Sequence, residues 1–353
     1  MVASRRRPSR VIHVGPVAIG GNNPISVQSM TNTDTRNVDK TVQQIKRLEE
    51  AGCEIVRVAV VDEEAARSLK SIKERIDIPL IADIHFDHRL ALMALDSGVD
   101  GLRINPGNIG SRMKVEEVAR KAKDLGVPIR VGVNAGSLEK RLLKKHGGLT
   151  AAALVESALD QVAILENISF TDLKISIKAS HVPLMIEAYR QLAKEVPYPL
   201  HLGVTEAGTL LTATVKSSVG IGILLSEGIG DTLRVSITGD PVLEVKAGFE
   251  ILKSLGLRQK GIELISCPTC GRCEIDLLSL VREVEDRLSG ISQPLKIAIM
   301  GCPVNGPGEA KQADIGIAGG PGWGLLFKEG EIIARVPQER LVEALLQEIQ
   351  KMV

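Results

Sequence analysis

The sequence predicts an α/β chain: an N-terminal TIM (β/α)8 barrel followed by a small α+β domain. Three observations predict it. Short apolar segments alternate with helical patterns eight times between residues 25 and 255. Gly52, Gly98, Gly126 and Gly230 each stand between a helical pattern and the next apolar segment, where a left-handed residue stops a helix. Beyond Leu255 the alternation ceases, and four of the five cysteines fall in two short segments.

The elements follow in order. Residues 11–19 are apolar but interrupted by Gly15-Pro16, which reads as a hairpin able to plug a barrel floor. Strands are expected at 25–30, 54–60, 79–84, 100–105, 128–133, 172–177, 199–204 and 231–237. The helices that follow them are expected at 38–51, 62–75, 87–97, 113–125, 150–166 after a basic loop, 183–195, a long stretch ending at 226, and 241–255. A doubly wound open sheet is the alternative, but it carries a glycine-rich phosphate turn after its first strand, and 28–33 contains no glycine. Residues 258–261 read as a linker. A helix at 274–288, a strand at 296–300, strand segments over 314–336 and a last helix from Gln338 make up the second domain. The expected domains are therefore 1–257 and 262–353.

Composition excludes some classes of function. The 353 residues carry 44 Lys plus Arg against 43 Asp plus Glu, a net of +1, and one Trp, two Tyr and four Phe. Nucleic-acid binding by bulk charge or base stacking is disfavoured. No apolar run reaches the roughly 18 residues of a membrane span. Arg5, Arg6, Arg7 and Arg10 precede no apolar segment of a secretory signal, so a solvated arm and a cytoplasmic location are expected.

Active sites of such barrels lie at the C-terminal ends of the strands. Those ends carry Arg57, Asp83, His85, Arg103, Asn105, Arg130, Asn134, Lys178, Thr205, Glu206, Arg234 and Ser236. Period two puts Asp83 with His85, Arg103 with Asn105, and Arg234 with Ser236 on shared faces. If those faces point inward, four Arg and one Lys converge with Asp83 and Glu206 as the evident counter-charges. Such an excess calls for an anion, and the guanidinium fork suits phosphate.

Cys267-Pro-Thr-Cys270-Gly is a metal-binding spacing, with Cys273 and Cys302 as further thiols. Four thiolates of a ferredoxin-like iron–sulfur site and a zinc knuckle both fit the spacing alone. Cys53 reads as a small buried apolar residue.

Several longer motifs carry a resemblance: Val27-Gln-Ser-Met-Thr-Asn-Thr-Asp-Thr35, Ala82-Asp-Ile-His-Phe86, Leu102-Arg-Ile-Asn-Pro-Gly-Asn108, Gly203-Val-Thr-Glu-Ala-Gly208, Cys267-Pro-Thr-Cys-Gly-Arg272 and Gly301-Cys-Pro-Val-Asn-Gly-Pro-Gly-Glu309. Together they resemble the 4-hydroxy-3-methylbut-2-enyl diphosphate synthase family of the methylerythritol phosphate route to isoprenoids, over nearly the whole chain. The resemblance implies reductive opening and dehydration of 2-C-methyl-D-erythritol 2,4-cyclodiphosphate. It implies a [4Fe–4S] cluster in a domain like those of sulfite and nitrite reductases, fed by reduced flavodoxin or ferredoxin. It implies Cys267, Cys270, Cys302 and Glu309 as cluster ligands, replacing the four-thiolate reading and leaving Cys273 unassigned. It implies the strand-end residues above as substrate-binding, with Glu206 and Glu309 catalytic and Glu206 the proton donor.

The order of elements adds an expectation about assembly. The last barrel helix runs back to the barrel floor, and a linker of four residues cannot carry the second domain round to the mouth. A head-to-tail homodimer, each cluster domain capping its partner's barrel, resolves this and agrees with the resemblance. A zinc-containing barrel that binds phosphorylated ligands, and a pterin-binding barrel like dihydropteroate synthase, are the competing readings.

Overall fold

The computed structural model describes residues 6–105, 109, 111–259, 261–288, 290–291, 293–302 and 313–352. The chain divides into two compact units, Met1–Arg258 and Gln259–Val353.

In the first unit, β1 (Ile12–Val14) and β2 (Val17–Ile19) form the expected antiparallel hairpin. Eight parallel strands follow: β3 (Ser26–Met30), β4 (Ile55–Ala59), β5 (Leu80–Asp83), β6 (Gly101–Ile104), β7 (Ile129–Asn134), β8 (Leu173–Lys178), β9 (His201–Leu202) and β10 (Thr232–Leu233). Their order is β8-β7-β6-β5-β4-β3-β10-β9, and one parallel bridge between Ile175 and Leu200 joins the two ends into a ring. That closure rules out the doubly wound alternative.

The helices between strands are α1 (Val38–Glu50), α2 (Glu63–Lys73), α3 (His88–Asp96), α4 (Arg112–Asp124), α5 (Lys140–Lys145), α6 (Ala151–Glu166), α7 (Val182–Glu195), α8 (Leu210–Ser226) and α9 (Pro241–Ser254). Their starts follow from capping side chains: Asn37 accepts from the Lys40 amide, Asp62 from Ala65 and Thr150 from Ala153. Helix α1 buries Thr41, Val42, Ile45 and Leu48, the spacing of one helical face. Each such aliphatic side chain contributes about 1.5–3 kcal/mol on burial. Gly98 and Gly126 stop α3 and α4 at φ +79° and +67°, with open space where a Cβ would sit, so backbone conformation alone selects glycine there.

The barrel floor is closed by the hairpin. Ile12, Val14 and Ile19 pack on Ile55 and Ile81, at the entry ends of β4 and β5. After α9, Arg258 donates to the Ile25 carbonyl (2.9 Å) and pairs with Glu54 (2.9 Å), residues that precede β3 and β4. The chain therefore leaves the barrel at its floor, as the element order required.

In the second unit a five-stranded sheet runs β11 (Ile262–Ser266), β12 (Leu295–Met300), β13 (Ile315–Gly320), β14 (Trp323–Lys328) and β15 (Glu331–Pro337). The first three strands are parallel and the rest antiparallel. Helix α10 (Leu277–Leu288) and a last helix (Leu341–Gln350) bury Val284, Leu288, Leu341 and Leu345 against Ile297, Ile299, Ile315 and Ile317.

Four expectations need correction. Strands β9 and β10 have two residues each, shorter than expected, and at Gly203, just after β9, the backbone passes so near the Arg234 carbonyl that a Cβ would lie 2.7 Å from it. The basic loop before α6 contains α5, whose single buried side chain, Leu142, left no periodicity to detect. Strand β11 lies where only a linker and cysteines were expected; it is a half-exposed edge strand. Arg6 and Arg7 are not part of a solvated arm, whereas Arg10 is exposed and Arg5 lies outside the described residues. Arg6 (2.9 Å) and the Ser9 hydroxyl (2.8 Å) bond buried Asp231, which also accepts from the Leu200 amide (2.8 Å), while Arg7 donates to the carbonyls of Val196 and Tyr198.

Asp231 thus ties the N-terminal segment to β9 and β10. Asp231→Ala should destabilise the protein by about 3 kcal/mol by stranding these donors, a fall of roughly 6–12 °C in the thermal midpoint. An unchanged midpoint would return the segment to a solvated arm.

Candidate active site

Small residues and branched aliphatics ordinarily fill a barrel of this kind; here the inward face is polar. Ser26, Gln28 and Met30 on β3, Arg57 on β4, Asp83 on β5 and Arg103 on β6 share that face. So do Arg130 on β7, Lys174, Ser176 and Lys178 on β8, His201 on β9 and Thr232 on β10. All of them but half-buried Met30 are buried. Strand register aligns Asp83 with Arg103, Arg103 with Arg130, and Arg130 with Lys174. One row of charge therefore slopes from the mouth at Asp83 to the lower barrel at Lys174, following the stagger of the strands.

Two carboxylates organise the cations. Asp83 bonds Arg103 at 3.0 Å and pairs with Arg57 at 3.4 Å. Arg103 also lies 2.8 Å from His85 Nε2, and that nitrogen stands 3.4 Å from Asp83 Oδ1. Burial alone would raise the Asp83 carboxyl, yet Arg57, the hydrogen bond with His85, Arg103 and Arg130 together hold it well below the usual carboxylate range. Burial outweighs Asp83 at Arg57 and brings that guanidinium down to about 10. The second carboxylate is Glu244, near the start of α9. It grips Arg234 with both oxygens (2.9 and 3.0 Å), accepts from the Ser29 hydroxyl (2.8 Å) and from the Ile237 amide (3.1 Å). Sequence reasoning missed it by searching strand ends only; an acidic residue in the first turn of the helix after strand eight was the available signal. Glu206, the counter-charge expected from sequence, is exposed, in a left-handed conformation (φ +52°), and takes part in no ion pair among the described residues.

Beyond these pairs the positive charge is uncompensated among the described residues. Arg130 is buried with Nε and Nη1 unpartnered, as is Nη1 of Arg57 and Nε of Arg103. Lys178 is buried at the end of β8 beside Asn134, its register partner. Burial, then Arg130, lowers Lys178 well below an ordinary lysine. Glycines make room for these long side chains: a Cβ on Gly132 would lie 2.8 Å from Arg103 Nε, and one on Gly203 would lie 3.0 Å from Lys178 Nζ. Asn105 is buried beyond β6, while Thr205 and Ser236 are half-buried in the loops after β9 and β10. The expected mouth residues therefore occupy one end of one barrel. Lys174 and His201, inward and buried, were missed because they lie below the strand ends.

In the second unit, the cysteine loop follows β11. The Gly301 amide, at the end of β12, donates to Cys267 Sγ (3.2 Å), and the Glu274 amide donates to the Gly301 carbonyl (2.9 Å). Cys302, next to Gly301, is buried and Cys270 exposed. Cys273 donates to the Ile275 carbonyl (3.2 Å), and a Cβ on Gly301 would lie 2.6 Å from its sulfur. Cys273 is thus a packed thiol with a partner of its own. Glu309 lies outside the described residues. Among those described, no three His, Cys, Asp or Glu side chains are grouped closely enough to hold a metal ion. What fits an iron–sulfur group is the donor chemistry, thiols of Cys267, Cys270 and Cys302 on loops joined through Gly301. Cys53 is buried, and burial pushes its thiol up to about 12, as for an inert core residue.

Because Asp83 is held below its ordinary value, its ion pairs stabilise the fold above about pH 4 and are lost as pH falls. Asp83→Asn should be about 3–5 kcal/mol less stable at neutral pH, and the two proteins should converge in acid. Urea midpoints measured between neutral and acid pH test this; a gap that persists in acid would refute it.

Comparison with known proteins gives three results. A family model described as the GcpE TIM-barrel domain matches residues 9–249, and one described as the GcpE protein C-terminal domain matches residues 263–351. Proteins of Caldanaerobacter subterraneus (61% identical, covering 99% of this chain and 98% of that protein) and Geobacter sulfurreducens (61%, 97% and 97%) bear the name 4-hydroxy-3-methylbut-2-en-1-yl diphosphate synthase (flavodoxin). A protein of Clostridium tetani with the same name is 60% identical over 98% of this chain and 99% of its own. Among solved structures, a dihydropteroate synthase from Stenotrophomonas maltophilia superposes with a TM-score of 0.51 at 13% identity, covering 70% of this chain and 98% of that one, which is a likeness of barrel fold alone.

Proposed function

The chain belongs to the GcpE family, and from that membership we infer that it performs the reaction its relatives are named for. It is an iron–sulfur oxidoreductase of isoprenoid biosynthesis. It opens the ring of 2-C-methyl-D-erythritol 2,4-cyclodiphosphate, expels a hydroxyl as water and forms (E)-4-hydroxy-3-methylbut-2-enyl diphosphate. The observation that carries this reading is the charge of the mouth: Arg57, Arg103, Arg130, Lys178 and Arg234 against Asp83 and Glu244. A diphosphate supplies the missing negative charge and acceptors for the unpartnered guanidinium nitrogens.

Each residue then has a task. Arg57, Arg103, Arg130, Lys178 and Arg234 hold the diphosphate. Asn105, Asn134, Thr205 and Ser236 bond the hydroxyls and remaining oxygens of the substrate. Asp83, with His85, fixes the Arg57 and Arg103 forks, and Glu244 fixes Arg234. Glu206, exposed beyond β9, protonates the departing hydroxyl so that it leaves as water. Cys267, Cys270, Cys302 and Glu309 hold a [4Fe–4S] cluster. Bound there, the cluster supplies electrons one at a time from reduced flavodoxin, or from ferredoxin, and a Lewis-acidic iron.

The donor set separates this reading from a zinc knuckle. Protein purified without oxygen should be brown and contain iron and acid-labile sulfide in equal amounts. Cys302→Ser should lose both, and Cys273→Ser should keep them with its activity. Colourless protein carrying zinc would overturn the cluster, and loss of iron in the Cys273 variant would overturn the ligand set.

The protein acts as a homodimer whose cluster domain caps the partner's barrel. Two observations support this. The chain leaves the barrel at the floor, through Arg258, opposite the mouth. Large apolar residues stand exposed on the mouth side, with Val61, Phe86, Met113 and Leu211 each 68% exposed or more, a rim suited to being covered. Mixing inactive Glu206→Ala and Cys302→Ser chains should restore activity by joining an intact barrel to an intact cluster. No recovery after demonstrated subunit exchange would refute the shared site.

A further inference from the structure

Below the mouth the barrel holds a second tier of polar side chains that the reaction above leaves without a task. Lys174 is 2% exposed, and its Nζ has no hydrogen-bond partner among the described residues. It shares the inward face of β8 with Lys178, four residues on, about 13 Å higher along the strand. The charged groups facing it are cationic or already engaged, and the one titratable neutral group is His201. Arg130 lies opposite it on β7, and Arg57 faces it from β4. His201 on β9 is fully buried with both ring nitrogens unpartnered. On β5 and β6, Asp83 is paired with Arg57 and Arg103, and Glu244 is paired with Arg234 beyond β10. The remaining neighbours, Ser26 and Gln28 on β3 and Thr232 on β10, are uncharged and have unpartnered polar atoms of their own.

Among the described residues an ammonium at this place makes no hydrogen bond and no ion pair. Burial, then Arg130 and Arg57, depress Lys174 well below an ordinary lysine. A diphosphate in the mouth reverses the balance: it offsets the cations above and so removes their repulsion from the same low-dielectric interior. We propose that Lys174 is a positioning residue whose charge follows occupancy of the mouth, neutral in the free enzyme and protonated from solvent when a diphosphate binds above it. The added charge then strengthens the hold on the diphosphate without touching it. The proposal rests on the reading of the mouth as a diphosphate site.

The test is calorimetric titration of the holoenzyme with the cyclic diphosphate, without reductant so that nothing turns over. It is run at one mildly alkaline pH in buffers of different ionisation enthalpy. Wild type should take up protons on binding, and its affinity should fall as pH rises, about tenfold per pH unit for each proton taken up. Lys174→Met preserves side-chain volume and removes an unpartnered amine, so the fold, melting temperature and iron content should hold. It should take up roughly one proton fewer and show a shallower pH dependence, and Lys174→Gln should behave alike. Binding with no proton uptake in wild type, or with the same uptake in both variants, overturns the proposal alone. Absence of binding to wild type overturns the reading of the mouth and this proposal with it.

Discussion

Positive charge enclosed in a low-dielectric barrel is the constraint on which the rest of the structure depends. An unpaired buried cation costs several kcal/mol, so each one demands a partner, a neutral form or a ligand. All three solutions occur. Asp83 partners Arg57 and Arg103, and Glu244 partners Arg234. Lys174 and Lys178 are driven toward the neutral amine. Arg130 is left with two nitrogens that have no hydrogen-bond partner among the described residues. The outer shell can then be ordinary: the aliphatic helices and the outward faces of the strands supply the hydrophobic burial that the interior gives up.

The same constraint explains details that look unrelated. Gly132 and Gly203 are small because Arg103 and Lys178 lie across them. The floor needs a separate apolar plug because the polar interior cannot seal itself, and β1–β2 with Ile55 and Ile81 supplies it. Asp231 fastens the N-terminal segment beside that plug. At the mouth, by contrast, Phe86 and Met113 are exposed on the loop after β5 and at the start of α4.

Much of this was legible in the sequence. Eight alternations, the helix-stopping glycines and period two placed Arg57, Asp83, Arg103, Arg130, Lys178 and Arg234 at one end of a barrel before any coordinates. The rest was hidden for physical reasons. Glu244 sits on a helix and reaches the site only through the loop after β10. Lys174 and His201 lie inside the barrel, where a residue's depth depends on the stagger of strands rather than on its distance from a strand end. Arg6 and Arg7 looked like a solvated arm because their partners are mostly backbone carbonyls, which carry no signature of residue type. The cysteine spacing alone favoured four thiolates of an iron–sulfur site over a zinc knuckle; the family resemblance, not spacing, favoured a carboxylate over a fourth thiolate.

The seam of the barrel has a consequence of its own. Strands β7 and β8 are joined along six registered pairs, whereas β8 meets β9 through the single Ile175–Leu200 bridge, and β9 and β10 have two residues each. Cooperative opening starts where cross-strand bonding is thinnest. The barrel is therefore mechanically a stiff arc from β3 to β8 with a compliant sector closing it, and that sector leads directly into Thr205, Glu206, Arg234 and Ser236. Amides along β9 and β10 should exchange with solvent sooner than those of β7, because the side of the mouth carrying Thr205, Glu206, Arg234 and Ser236 is bonded more sparsely than the side carrying Arg103 and Arg130.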